Sequence, residues 1–343
     1  MMRHMGVLAF LTLLSMTSVQ AQGTKTCEAG QRLFDHELLV GEPVCIPENP
    51  QRVLALDMAS LEMTLLTGKT LVGSSNWILS EYPVLEPEVG AKLAGVKDVG
   101  YPASLETALL LEPDIILAAG SSVAGESIDG IKAQEIAPVV MADASIYEDW
   151  QLGMSFWSEV LGAEDAYSEM LANYEARIAE LQATLGDPAT TTVSIVPMAS
   201  GSAYMWMPDT APGKIISDVG FSRPDSQTLL ADKAEARYGA AQYVQVSEER
   251  FDLLDADVIF YFTYASSDPA IADEESGFVS DFEGNPLWQA LTAVRDDRAF
   301  LVGGYWWRAQ TYLLANRVLD DIFTDLVGKP SETPALSFEE MSQ

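Results

Sequence analysis

Basic residues are scarce in this chain. Nineteen Lys and Arg stand against 51 Asp and Glu, a formal net charge of −32. Such a surface repels phosphate backbones, so nucleic acid is not expected as a partner. Histidine is scarcer still: there are two, and only His36 lies beyond the first few residues. A Ser–His–acid triad would have to use that single ring. Direct zinc or manganese capture lacks the His and carboxylate clusters it favours, and no metal site is expected. The G-x-S-x-G elbow, the Walker pattern, H-E-x-x-H and G-x-G-x-x-G are all missing, so nothing points to an enzyme. After the first residues, no apolar run reaches membrane-spanning length.

What is present begins with an export signal. Arg3 and His4 precede an apolar run over residues 6–16, and Val19-Gln20-Ala21 offers a cleavage site. This pattern predicts a signal peptide over residues 1–21 and a periplasmic location. No Cys follows the cut directly, which argues against a lipid anchor. About 320 residues remain, enough for two domains with separate cores. The two cysteines, Cys27 and Cys45, both fall in an N-terminal arm over residues 22–50. Export favours a disulfide between them over two free thiols.

Short β-branched runs then alternate with helical patterns. Residues 52–57, 71–75, 114–119 and 139–142 read as strands, and 59–67 and 105–111 as helices. The alternation predicts an α/β lobe over residues 51–162, with a mostly parallel sheet. Leu171, Tyr174, Ile178, Leu181 and Leu185 step by three and four, one face of an unbroken helix over 163–186. The α/β pattern restarts over 187–328, with strands at 192–197, 203–207, 243–246, 258–263 and 299–302 and a closing helix at 313–326. The acidic stretch 265–284 reads as a loop, and the Pro-, Ser- and Glu-rich tail over 329–343 as loose. The fold class is therefore α/β, two lobes joined by one long helix.

Aromatic residues and Arg cluster late in the chain, at Tyr305-Trp306-Trp307-Arg308. This segment follows a strand, where open α/β sheets place ligands. Three successive aromatics do not all fit one core, and exposed rings beside Arg suit a large ligand with apolar faces and anionic groups. Trp77, Trp206, Arg237 and Tyr238 are further candidates, each near a strand end.

Four segments carry a resemblance: IPENPQRVLALDMASLEMTLL (46–66), DVGYPASLETALLLEPDIIL (98–117), YVQVSEERFDLLDADVIF (243–260) and PLWQALTAVRDDRAFLVGGYWWRAQTYLLANRVLDDIF (286–323). Their order and spacing resemble the periplasmic iron–siderophore and cobalamin binding proteins of ABC importers, the ferric-dicitrate and ferric-hydroxamate types above all. The resemblance implies two lobes on a rigid linking helix, with the ligand in the cleft between them. It implies a monomer that carries a ferric siderophore to inner-membrane permease subunits, with no cofactor of its own. Glu106 and Glu249 match the carboxylates that dock onto permease Arg residues, Glu248 being the neighbour that could take the place of Glu249. The aromatics at 305–308 match ligand-contacting positions. Tyr101 stands where relatives carry a ligand-contacting Arg, a departure that bears on which chelate is taken. Another large chelate, such as cobalamin or haem, is the alternative ligand; a scaffold module without a cleft is the alternative class.

Overall fold

The computed structural model describes residues 26–120, 128–199, 201–264 and 269–341. Residues 1–21, read as a signal peptide, lie outside them. The arm forms a two-stranded antiparallel ribbon, β1 (Gln31–Phe34) and β2 (Val44–Pro47). A disulfide joins Cys27 to Cys45 beside it. Arg32 pins the ribbon to the first lobe by donating to the Val160 carbonyl at 3.2 Å.

The first lobe holds β3 (Arg52–Ala55), β4 (Thr70–Ser74), β5 (Lys97–Asp98), β6 (Ile115–Ala119) and β7 (Val139–Ala142). They pair in the order β5-β4-β3-β6-β7, and every pair is parallel. Helices cover both faces of a parallel sheet, so its strands read as continuous apolar runs; all five residues of β6 are buried.

The second lobe holds β8 (Val193–Ala199), β9 (Ser202–Trp206), β10 (Tyr243–Val246), β11 (Val258–Thr263) and β12 (Ala299–Leu301), in the order β10-β9-β8-β11-β12. Here the sheet is mixed. β8, β11 and β12 run parallel, whereas β9 and β10 are antiparallel to their neighbours. The reversal comes from a tight turn between β8 and β9, where Gly201 takes φ +72°.

One helix, Glu164–Leu185, runs between the two sheets in sequence. Its 22 residues span roughly 33 Å. Gly162, at φ +62°, ends the preceding helix Trp150–Leu161 and lets the chain restart in a new direction. The long helix buries Met170, Tyr174, Arg177, Ile178 and Leu181, with Leu171 and Leu185 packed at the margin. Arg177 is fully buried; it donates to Asn316 Oδ1 at 2.6 Å and to Asp320 on the closing helix Tyr312–Ile322. A single apolar core runs from Val53 and Ile115 in the first sheet, through this helix, to Phe260 and Phe262 in the second. Packing of that kind joins the lobes stiffly.

Two expectations are corrected. The acidic stretch read as a loop contains the helix Pro269–Glu283. Val279 is buried, and Phe282 packs on Phe251 and Trp288 with ring centres at 4.9 and 4.4 Å. The apolar spacing Phe278, Val279, Phe282 marks the inward face that the acidic residues obscure. The tail is not loose over its described part. The Glu180 carboxylate accepts from the Glu332 amide and the Ser331 hydroxyl at 2.8 Å each, and Phe338 is buried.

Candidate functional site

Ligand crevices in α/β folds form beyond the carboxyl ends of the strands. Both sheets present those ends to one cleft of about 830 Å³. In the first lobe, β4 leads into the helix Asn76–Leu85. Trp77 and Glu81 are four residues apart and share a face of it. Tyr101 follows β5, and its ring meets Trp77 edge-on with centroids 6.5 Å apart. Tyr147 closes the 3-10 turn Ala144–Tyr147 after β7.

From the second lobe come Tyr204 and Trp206 on β9, Tyr243 on β10, and Tyr264 just past β11. The 3-10 turn Gly304–Arg308 after β12 adds Trp307 and Arg308. Trp206 is the hinge of this wall, packing on Tyr243 at 5.0 Å and Trp307 at 5.2 Å. The cleft therefore has eight aromatic rings around it. Flat apolar walls with polar rims suit a bulky ligand better than a small ion.

Among the described residues, Arg308 and Glu81 are the only charged groups in the lining, with Nη2 3.3 Å from Oε2. The same Nη2 donates to the Tyr264 hydroxyl at 2.8 Å, and the guanidinium lies 5.2 Å from the ring centres of both Trp77 and Tyr264. Burial pushes the Tyr147 and Tyr264 phenols up, so both stay protonated and able to donate. Among the described residues, no three His, Cys, Asp or Glu side chains gather to hold a metal ion. The arrangement can grip oxygen-rich, pre-formed ligands by hydrogen bonds and stacking, and it offers no coordinating shell.

The periplasmic binding protein family model matches residues 53–304, from the first strand of the first lobe to the turn that carries Arg308. The chain belongs to this family. It is 32% identical over 285 residues to a probable siderophore-binding lipoprotein of Bacillus subtilis, covering 81% of this chain and 83% of that one. It is 30% identical to the achromobactin-binding periplasmic protein of Dickeya dadantii, covering 80% and 85%. Among solved structures, Staphylococcus aureus SirA, complexed with staphyloferrin B, superposes with a TM-score of 0.69 at 22% identity, covering 86% and 98%.

In this periplasmic binding protein, the residues singled out from sequence divide. Trp77, Tyr101, Trp206, Trp307 and Arg308 line the cleft. Tyr305 and Trp306 do not, which corrects the expectation. Trp306 is fully buried, stacked on Phe260 at 4.7 Å, and donates to Asp321 Oδ2 at 2.6 Å. Tyr305 donates to the same carboxylate at 2.7 Å. Arg237 and Tyr238 also miss the cleft. They end the helix Ala231–Tyr238, where the Tyr238 hydroxyl donates to the Ser226 carbonyl and Arg237 covers its ring. Glu106 is exposed in the first turn of the helix Leu105–Leu111, and Glu249 is exposed in the turn after Ser247. Hydrogen bonds from its own amide and the Ser247 hydroxyl hold the Glu249 carboxyl below its usual range. Glu248 instead accepts from Asn285 at 2.8 Å. Sequence reasoning missed Glu81, Tyr147, Tyr204, Tyr243 and Tyr264; Tyr243 and Tyr264 stand at strand ends, the one signal available, whereas Glu81 lies within a helix and Tyr204 within a strand.

Proposed function

We propose that this chain captures a ferric siderophore in the cleft and delivers it to an inner-membrane ABC permease. One observation carries the reading: an aromatic cleft that, among the described residues, offers one Arg and no cluster of metal ligands, as suits iron already saturated by its own chelator. Relatives named for siderophore or achromobactin binding support it. Residues 1–21 act as the export signal, the mature chain works in the periplasm as a monomer, and it catalyses no reaction. Glu106 and Glu249, one exposed carboxylate on each lobe, dock onto permease Arg residues and set the register of the complex.

Two measurements test this. A ferric siderophore at a hundred times its Kd adds about 2.7 kcal/mol of stability, seen as a raised melting temperature. No rise with any ferric chelate sinks the ligand assignment. The double variant Glu106→Ala with Glu249→Ala is expected to keep ligand affinity and lose uptake in cells; normal uptake refutes the docking role.

A further inference from the structure

Charge inside the cleft is balanced by the protein itself. Arg308 belongs to the second lobe and Glu81 to the first, and their ion pair crosses the cleft at 3.3 Å. Both side chains are largely shielded, at 24% and 16% exposure. A ligand anion that reaches Arg308 therefore meets a carboxylate already held by the same Nη2 atom. Among the described residues, no other Lys or Arg lines the cleft to take up more negative charge. The remaining described walls are neutral: aromatic rings, phenols, the amides of Asn76 and Gln310, the Thr210 hydroxyl and small aliphatic groups.

Iron(III) held by three hydroxamates is uncharged, whereas three catecholates leave the chelate triply anionic and citrate chelates carry several negative charges. Each ligand charge left without a partner near the Glu81 carboxylate weakens binding by roughly tenfold or more in so shielded a place. Resting on the ferric-chelate reading above, we propose that Glu81 selects ligands by charge, so that the cleft takes an uncharged or singly anionic ferric hydroxamate. The phenols of Tyr147 and Tyr264 suit that choice, since hydroxamate oxygens accept hydrogen bonds without bringing excess charge.

The test is quenching of tryptophan fluorescence in the full chain, titrated with ferrichrome (an uncharged tris-hydroxamate) and ferric enterobactin (a tris-catecholate). Ferrichrome is expected to bind at least tenfold more tightly. Glu81→Gln is expected to shift the ratio of the two affinities at least tenfold towards ferric enterobactin, a comparison that cancels the difference in ligand shape. Equal or tighter binding of ferric enterobactin by the native chain overturns the proposal, as does an unchanged ratio in the variant. Failure of ferrichrome to bind, with the protein folded by circular dichroism, overturns the hydroxamate proposal, and failure of every ferric chelate in the melting panel overturns the ferric-chelate reading itself.

Discussion

Replacing Glu62 by Gln is expected to raise stability at pH 8 and to change it little at pH 4. Glu62 is fully buried on the helix Met58–Leu66, where the first lobe meets the closing helix. Its Oε1 accepts from the Leu313 amide at 2.9 Å, and its Oε2 accepts from the Tyr82 hydroxyl, which lies 3.2 Å from Thr311 Oγ1. Burial pushes the carboxyl from 4.5 up to about 7, overcoming hydrogen bonds from Tyr82, Thr311 and Leu313 that favour the ionised form. In the unfolded chain the group ionises near its ordinary value. Below that value both states hold the proton and ionisation costs nothing. As pH rises towards 7 the unfolded state sheds the proton while the folded state keeps it, so stability falls. Above 7 the loss levels off at about 3 kcal/mol. Gln imitates the protonated acid: its oxygen accepts from Leu313, and its amide donates to Tyr82, which turns its own proton to Thr311. At about 2 °C per kcal/mol for a chain of this size, the variant should melt about 6 °C higher at pH 8. Circular dichroism melts at both pH values measure this. An equal shift at pH 4 and pH 8, or a lower melting temperature at pH 8, refutes the reasoning.

Further expectations follow from neighbouring groups. Burial also pushes Asp57 and Asp321 up to about 6, so the native chain should lose stability as pH rises from 4 to 7, which the same melts record. Trp306→Ala should destabilise the fold by about 3–5 kcal/mol, since it empties a core site. Trp307→Ala should instead cost little stability and weaken ligand binding roughly tenfold or more, as titration would show; the reverse pattern would contradict the division of these rings. Removing the disulfide by Cys27→Ser with Cys45→Ser should cost about 3 kcal/mol, because the bond closes an 18-residue loop, and urea unfolding would measure it.

Much of the fold was legible because its strands are short, apolar and bounded by turn residues. The strands Val139–Ala142, Tyr243–Val246 and Val258–Thr263 and the helix Leu105–Leu111 fall where patterning places them. The helix Pro269–Glu283 was hidden because its apolar face is narrow and the rest is acidic. The tail was misread because composition says nothing of Glu180, whose carboxylate meets its backbone more than 150 residues away. The site was legible only in part. Four adjacent residues, Tyr305 to Arg308, promised a ligand wall, yet a single turn sends two inward to Asp321 and two outward to the cleft. Nothing in the local sequence decides which. Glu81 and the cleft tyrosines come from separate elements, and only the approach of the two sheets brings them together.

The most direct measurement is native mass spectrometry of the protein after exposure to a mixture of ferric siderophores. One adduct per chain is expected, with the mass of an intact ferric chelate, and it should be lost in Arg308→Ala. Adducts of bare iron, of iron-free chelator alone, or an intact adduct that survives in Arg308→Ala would contradict this.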